Sequence, residues 1–311
     1  MIKYIVALIV IPIFSVHARE EFAITPISYP DISKKIDQVM LGKSLFNDPI
    51  LFDNGKSCAG CHLFSYGGAF PSALGAPEQA RKINVPTVFN TSLNFRWHWD
   101  GEYKSLEEHV DNTIKIESSS YDTAWELLLQ RLEDNVNYKK RFKQTYGEIS
   151  KKHVLNSIVE YEKALIAPSL FDDHLKGSRK LSADALRGFH KFQRYGCISC
   201  HQGKNIGGNI IVPIGVINNF FATKKPLTQI DYGHYNVTGK ERHKFYFKVP
   251  SLRNVARTAP YFHDGSAESL EKAVTMMAFY QLGLALDTKD VADIVSFLES
   301  LSGDPLTELM E

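Results

Sequence analysis

Apolar residues recur at helical spacing through much of the chain, whereas the strict alternation typical of half-buried strands is scarce. The periodicity predicts helices over residues 121–132, 151–165, 183–195, 270–282 and 289–301. Ser105 and Ser269 stand where two helices begin, and Glu108 follows Ser105 at the spacing of a capping box. Gly and Pro are concentrated in linkers such as 67–79 and 207–215. The predicted fold class is therefore mainly α, with long loops.

Two stretches of the chain repeat each other. Residues 86–110 and 250–274 align at a constant offset without a gap, and they share Pro86/Pro250, Asn90/Asn254, Asp100/Asp264, Gly101/Gly265, Ser105/Ser269, Leu106/Leu270, Glu107/Glu271 and Val110/Val274. A repeat of this kind indicates a duplicated structural unit. We place the boundary near residues 165 to 180, which predicts an N-terminal domain over 19–165 and a C-terminal domain over 166–311.

A Cys-x-x-Cys-His pentad precedes each copy of the repeat, first as Cys58, Cys61 and His62 and then as Cys197, Cys200 and His201. Two thiols at this spacing can add to the vinyl groups of one porphyrin while the adjoining imidazole reaches its iron, so the pentad is the attachment signature of haem c. A disulfide or redox pair would not need the histidine. A zinc site built from both pairs is the other alternative, although its spacing would be unusual. We predict two covalently bound haem c groups.

The N-terminus has the pattern of a secretory signal peptide over residues 1–18. Lys3 precedes an apolar run from Tyr4 to Phe14, and Val16 and Ala18 form a small-x-small cleavage pattern. The run is short for a membrane span, and an uncleaved anchor is the alternative. No later segment is long and apolar enough to cross a membrane, so an exported protein of the bacterial periplasm is expected.

Composition adds little that is specific. A length of 311 residues with 44% hydrophobic residues favours two domains, each with its own core. The net charge of +1 gives no indication of nucleic acid or of a strongly acidic partner.

The two haem sites differ at corresponding positions of the repeat. In the second half, Met276 or Met277 can reach the iron opposite His201, and His/Met ligation closes the iron and suits electron transfer. A methionine on a helix is more often a core residue, but this haem needs a sixth ligand, so Met277 is the predicted one. The same offset in the first half leads to Asn112 and Thr113, which are poor haem ligands. The first iron is therefore predicted to be open to a small oxidant.

With these features the chain resembles the bacterial dihaem cytochrome c peroxidases, which reduce hydrogen peroxide to water with electrons from small periplasmic donor proteins. The matching stretches are KSCAGCH, NVPTVFN, WDG, YGCISCH, VPSLRNVARTAPYFHDGS and MMAFYQLG, and they run through essentially the whole mature chain. The resemblance implies two cytochrome c-like domains. It assigns the peroxidatic haem to His62, and the electron-transfer haem to His201 with Met277 as its second axial ligand.

The resemblance also implies roles for residues outside the pentads. Trp99 would relay electrons between the haems, with a core aromatic as the alternative. Asn84, Thr258 and Pro260 would bind an interdomain calcium ion through one side-chain oxygen and backbone carbonyls, which are suitable ligands for calcium. Members of the family are often dimers, so a homodimer is a candidate state.

Three positions depart from the family pattern. Where the family has a glutamate that moves protons, this chain reads DNTIKIESSSY, in which Glu117 is the candidate. A solvated loop acid is the alternative, and a deprotonated Lys115 could instead occupy the iron. Residues 63–82 contain no histidine with which to close the peroxidatic haem, which predicts a site already open in the oxidised protein. Glu102 stands where an arginine commonly follows WDG.

The predicted function is a periplasmic dihaem peroxidase, and two alternatives stay open. One is an oxidase that modifies residues of a partner protein, like the similar enzymes that mature methylamine dehydrogenase. Those enzymes ligate the second haem by tyrosine, and Tyr280 lies close enough to Met277 in the sequence to leave this alternative open. The other is a non-enzymatic electron carrier. We expect His263 to lie beside a haem in a structural role. The remaining histidines outside the pentads, such as His98 and His109, are expected in surface or packing roles.

Overall fold

The computed structural model describes residues 24–70, 83–224 and 226–310, so the predicted signal peptide lies outside the described residues. The described chain is mainly helical, with one short two-stranded sheet. Within these ranges, none of the helices combines the length and the apolar character that a membrane span requires.

The helices are α1 (Ile36–Asn47), α2 (Leu106–Glu117), α3 (Ala124–Asp134), α4 (Val136–Tyr146), α5 (Lys151–Ala164), α6 (Leu170–Leu175), α7 (Ala183–Arg194), α8 (Tyr235–Thr238), α9 (Leu270–Leu282), α10 (Thr288–Glu299) and α11 (Thr307–Met310). Strands β1 (Ile211–Pro213) and β2 (Tyr246–Lys248) pair antiparallel, with Val212 opposite Phe247. Several short 3₁₀ turns connect these elements.

The predicted helical runs correspond to α3, α5, α7, α9 and α10. Both predicted starts are confirmed, since Ser105 Oγ accepts the N–H of Glu108 at 3.0 Å and Ser269 Oγ accepts that of Lys272 at 3.2 Å. α3 begins at Ala124 rather than Tyr121, because residues 121–123 form an exposed turn. The periodicity predicts neither α1 nor α4, and of α2 it predicts only the start.

The same pair of crossed helices occurs in each half of the chain, as α1 with α5 and as α7 with α10. In both pairs a glycine allows the backbones to touch. A Cβ on Gly42 would lie 1.9 Å from the Ser157 carbonyl oxygen, and one on Gly188 would lie 1.8 Å from that of Asp293. The internal repeat thus extends beyond residues 86–110 and 250–274 to the helices that enclose each pentad.

The repeated segments also share an unusual backbone. Asn90 and Asn254 are both left-handed, with φ of 59° and 61°. Each side-chain oxygen accepts one backbone N–H, from Ala167 at 2.8 Å and from Gly303 at 2.7 Å. Asparagine tolerates this conformation better than most residues, and its short side chain bonds locally. Each copy of the repeat is therefore hydrogen-bonded to a following segment, the first copy to the segment after α5 and the second to the segment after α10.

The core is divided among several clusters of buried side chains. One is built around α7 and α10 in the second half. Two others share α1 in the first half, because Leu41 and Leu45 belong to one of them and Val39 and Phe46 to the other. Helix α1 is thus buried on more than one face, and it also contacts the 3₁₀ turn of the first pentad.

Candidate haem sites

The first pentad forms a single tight turn. Cys58–Gly60 is a 3₁₀ turn, and the backbone N–H groups of Cys61 and His62 both donate to the Cys58 carbonyl, at 3.0 and 2.9 Å. Ser57 caps the turn by accepting the N–H of Gly60. One turn therefore presents two thiols and an imidazole on a short, hydrogen-bonded frame.

The imidazole of His62 is oriented by the backbone. Its Nδ1 lies 3.0 Å from the Gly68 carbonyl oxygen, so the ring donates from Nδ1 and leaves Nε2 free to bind a metal. Burial lowers the pKa of His62 to about 4, which keeps the ring neutral at pH 7. A neutral imidazole with a free Nε2 is the form that ligates haem iron.

The second pentad has the same geometry. Cys197–Ser199 is a 3₁₀ turn, and the N–H groups of Cys200 and His201 donate to the Cys197 carbonyl at 3.2 and 3.0 Å. Burial lowers the pKa of His201 to about 4 against the opposing effect of nearby backbone carbonyls, although its Nδ1 completes no full hydrogen bond. The ring is neutral and partly accessible, as is that of His62.

The residues of both pentads fit a covalently attached haem. All four cysteines are free thiols, so neither pair is a disulfide. Burial raises the pKa of the Cys58 thiol and raises that of Cys197 to about 11, so both are protonated. Among the described residues, the pentad side chains form no group of three or more that lie close enough together to share one metal ion, whereas two thiols beside a free imidazole nitrogen are the donor set for haem c.

Helices α2 and α9 are the counterparts that follow each pentad, and they differ at the predicted ligand positions. On α9, Met276 packs into the hydrophobic clusters and Met277 belongs to none of them, although it is half-buried. On α2, Asn112 donates from Nδ2 to the Tyr103 hydroxyl, and Thr113 donates from Oγ1 to a backbone carbonyl at 2.8 Å. The two polar side chains of α2 are thus occupied by hydrogen bonds.

Trp99 lies where the two halves meet. Its Nε1 donates to the Asn84 carbonyl at 2.7 Å, and the N–H of Lys248 donates to the Trp99 carbonyl at 2.9 Å. Its ring packs with an aromatic cluster of the second half that includes Phe220 and Phe247. The indole is therefore held by strand β2 on one side and by the segment after the first pentad on the other.

Two of the three predicted calcium ligands, Asn84 and Pro260, are in contact in the structure. The side-chain amide of Asn84 contacts the carbonyl oxygens of Pro260 and Phe262 at 2.7 and 3.0 Å. Thr258 lies two residues before Pro260 in the same loop, which contains the cis Ala259–Pro260 bond. As placed, Asn84 donates from Nδ2 to these carbonyls, and rotation of the amide would turn its oxygen toward them.

The acidic and basic residues near the end of α2 are paired. Glu117 is the last residue of the helix, and its Oε2 accepts from Lys56 Nζ at 3.2 Å. Lys115 donates to Asp111 Oδ2 at 2.8 Å, and this hydrogen bond raises the pKa of Lys115. Lys115 is therefore a paired ammonium ion rather than a free amine that could bind iron.

Two histidines outside the pentads are enclosed, one as predicted and one not. His263 is buried, donates from Nε2 to Asp231 Oδ1 at 2.8 Å and stacks on Phe247, which fits a structural role. The sequence predicts a surface or packing role for His109 on α2, yet its Nδ1 is buried and has no hydrogen-bond partner among the described residues. Burial lowers the pKa of His109 to about 3. Sequence reasoning missed this residue, because a lone histidine on a helix carries no spacing signal.

Comparisons with known proteins agree with this arrangement. A family model for di-haem cytochrome c peroxidase matches residues 36–180. The cytochrome c551 peroxidase of Nitrosomonas europaea is 37% identical over 86% of this chain and 80% of that protein. The enzyme of the same name from Pseudomonas aeruginosa is 38% identical over 85% and 78%.

A longer relative and a solved structure extend the comparison. Cytochrome c peroxidase Ccp of Escherichia coli is 37% identical over 92% of this chain, which spans only 62% of that longer protein. The crystal structure of a MauG-like protein associated with microbial copper homeostasis matches with a TM-score of 0.75 over 92% of this chain and 94% of the other, at 20% identity. That likeness supports the fold. The two pentads and the extent of the peroxidase matches together place the chain in the bacterial di-haem cytochrome c peroxidase family, a family of haem-dependent oxidoreductases.

Proposed function

We propose that the chain reduces hydrogen peroxide at the first haem with electrons that a small periplasmic protein delivers to the second haem. The observation that carries this division of roles is the difference between α2 and α9. Helix α9 offers the thioether of Met277, whereas the matching side chains of α2, Asn112 and Thr113, are poor ligands already engaged in hydrogen bonds. Met277 would thus close the second haem for electron transfer, and the first haem would stay open to peroxide.

Each pentad would hold one haem through two thioethers and an axial imidazole, from Cys58, Cys61 and His62 in the first half and from Cys197, Cys200 and His201 in the second. Bound haem supplies an iron that binds peroxide or exchanges electrons. The chain contributes the orientation of each imidazole through its backbone turn, as the 3.0 Å contact of His62 with Gly68 illustrates.

Met277 is the proposed second ligand of the second haem. Its neighbour Met276 packs into two hydrophobic clusters, which leaves Met277 as the methionine with no apolar packing role among the described residues. Tyr280 is the alternative, but its ring packs edge-on against Phe220 at 5.1 Å within the aromatic cluster. A thioether ligand stabilises ferrous haem and so favours acceptance of electrons from a donor.

Trp99 is the proposed relay between the haems. Its indole is fixed by a hydrogen bond to Asn84 and packs against the aromatic cluster of the second half. The same Asn84 also contacts the Pro260 carbonyl with its side chain. A cation held by Asn84, Thr258 and Pro260 would therefore stabilise the position of Trp99 as well as the contact between the halves.

Calcium is accordingly expected in the purified holoprotein at about one ion per chain. Chelation should lower peroxide turnover, because it loosens the segment that holds Trp99, and Asn84→Ala should have the same effect. The measurement is metal analysis before and after dialysis against a calcium chelator, together with turnover. A protein that contains no calcium and is insensitive to chelation would contradict this assignment.

For the proton transfers, Glu117 is the carboxylate that the sequence offers on α2. Its ion pair with Lys56 at 3.2 Å means that it can accept a proton only at the expense of this contact. The physiological donor would be a small c-type cytochrome or a cupredoxin of the periplasm, consistent with export by the N-terminal signal peptide. A homodimer is a further proposal, drawn from the resemblance alone.

The fully oxidised holoprotein is expected to turn over peroxide with a reduced small cytochrome c, without prior reduction. The physical reason is that the first iron has no methionine opposite His62 and that residues 63–82 contain no histidine to close it. Donor oxidation and the haem spectrum can be followed together, and electron paramagnetic resonance of the resting protein should contain a high-spin ferric signal. Low-spin signals from both haems would contradict the open site. A long-lived oxidised haem with little donor turnover would favour a protein substrate, and no reaction would favour an electron carrier.

A further inference from the structure

His109 has the features of a residue that faces a ligand. Its Nδ1 is buried and lacks a hydrogen-bond partner, and among the described residues neither ring nitrogen makes a hydrogen bond. The side chain as a whole is nevertheless partly accessible, so its accessible edge includes Nε2. His201 combines a buried, unpaired Nδ1 with a partly accessible ring in the same way. An imidazole with no partner in the protein is costly unless another group pairs with it.

The ring of His109 lies near the first pentad. It lies 5.2 Å from the ring of Tyr103, and positive charge on His98, His62 or Lys248 would act on it and disfavour its own protonation. His109 is therefore close enough to His62, the proposed ligand of the first iron, for a charge on one imidazole to affect the other. Because α2 is the counterpart of α9, which carries the proposed ligand of the second haem, His109 approaches from the side opposite His62.

The position of His109 along α2 is not the one that corresponds to the proposed axial ligand of the second haem. In the aligned repeat it corresponds to Ala273, four residues before Met277. Four residues of α-helix advance about 6 Å along the axis. The side chain that corresponds to the iron ligand is Thr113, so His109 stands one turn earlier and flanks the open position rather than filling it.

We propose that His109 is the acid–base residue on the distal side of the first haem, a role that rests on the proposed peroxidase function. The proton of one peroxide oxygen passes to Nε2 of His109. It is then returned to the other oxygen as the O–O bond breaks, so that this oxygen leaves as water. Two electrons from the haems, which the donor protein restores, and two further protons from solvent complete the conversion of one peroxide to two water molecules. The imidazole is neutral before the reaction, because burial lowers its pKa to about 3 and no carboxylate among the described residues is hydrogen-bonded to it.

The carboxylates of α2 are less suited to this role. Asp111 accepts from Lys115 and Trp125, at 2.8 and 2.7 Å. Glu117 is paired with Lys56. Burial, and to a smaller extent the negative charge of Glu117, raises the pKa of the Cys61 thiol, so Glu117 lies near the attachment cysteines. Histidine is also the side chain that most often serves as a general acid–base group.

The test uses hydrogen cyanide as a probe, because it must lose its proton to bind ferric haem and so reports on a distal base without turnover. Binding of cyanide to the oxidised holoprotein is measured by stopped flow for wild type, His109→Gln and His109→Asn. Both variants are expected to bind cyanide and to reduce peroxide about a hundredfold more slowly. Their resting spin state should stay as in wild type. The matched control is His190→Gln, since His190 is exposed on α7, and Glu117→Gln is the comparator.

The outcomes separate this proposal from the proposed function. An unchanged cyanide rate in the His109 variants would overturn the role of His109, as would a slow rate in Glu117→Gln alone. A resting haem that changes from low spin to high spin on substitution would make His109 an iron ligand and would also overturn it. If cyanide binding slows in the variants while wild type fails to reduce peroxide, the distal assignment stands and the peroxidase function fails.

Discussion

Asp172→Asn is expected to destabilise the holoprotein by about 3–5 kcal/mol, which would make it the most damaging single charge change in the second half. Asp172 and Arg253 are both fully buried, and the guanidinium donates to the two carboxylate oxygens at 2.8 and 2.9 Å. The carboxylate also accepts the N–H groups of Ile27 and Ser169. Removal of its charge leaves a buried guanidinium without a counter-ion. The measurement is the free energy of unfolding from urea titration of the holoprotein.

The adjacent residue provides a matched control. Asp173 forms an ion pair with Arg179 at 3.7 Å, and both side chains are exposed. Asp173→Asn should therefore change the free energy of unfolding by less than about 1 kcal/mol. Equal losses in the two variants would contradict the buried-pair explanation.

The effect of Asp172 should depend on pH in a defined direction. Burial alone would raise the pKa of this carboxyl, but the hydrogen bonds and charge of Arg253 outweigh burial and hold the pKa below its usual value. Its contribution is then fully present above the pKa of the unfolded chain, about 3.9, and is lost as the pH falls through the lower folded value. The difference between wild type and Asp172→Asn should accordingly shrink below about pH 4.

The hydrophobic periodicity of the sequence predicts those helices whose apolar residues form one stripe facing a single cluster. It does not predict helices that are buried on several sides or on a very narrow stripe. Helix α1 contributes Leu41 and Leu45 to one cluster and Val39 and Phe46 to a second, so its apolar residues surround the helix and obscure the helical period. Helix α4 buries little more than Tyr138 and Phe142, a stripe too narrow to recognise among its lysines. The contact of Asp172 with Arg253 joins distant segments, and single-sequence patterns contain no signal for such pairs.

The residues of the candidate site also fall into those that the sequence predicts and those that only the structure reveals. The pentads are recognisable because their chemistry depends on a fixed local spacing, and the structure gives both the same turn. The proposed asymmetry of the two irons rests on an ungapped repeat, which can be read from the sequence without a structure. His109 is different, since only three-dimensional placement on α2 reveals that its Nδ1 is enclosed and unpaired. Its alignment with Ala273 in the repeat is the one sequence signal that could have drawn attention to it.

Met277→His is expected to lower the midpoint potential of the second haem by on the order of 200 mV, a fraction of the roughly 0.8 V over which axial ligands tune haem. Imidazole is a stronger donor than a thioether and favours ferric iron. About 59 mV corresponds to a tenfold change for a one-electron couple, so electron uptake from the donor should weaken by about a thousandfold. Peroxide turnover with a reduced cytochrome should fall with it, and spectroelectrochemistry measures the potential directly.

Adjacent methionines on α9 allow the ligand itself to be identified. Met277→Leu should open the second iron and remove the methionine-to-iron charge-transfer band from the ferric spectrum. Met276→Leu should leave both the band and the potential unchanged, because Met276 packs among apolar side chains. A band lost only with Met276 would transfer the ligand to that residue. If neither leucine variant has an effect but Tyr280→Phe raises the potential, the second haem is ligated by tyrosine, and a protein substrate becomes the better account of the oxidised enzyme.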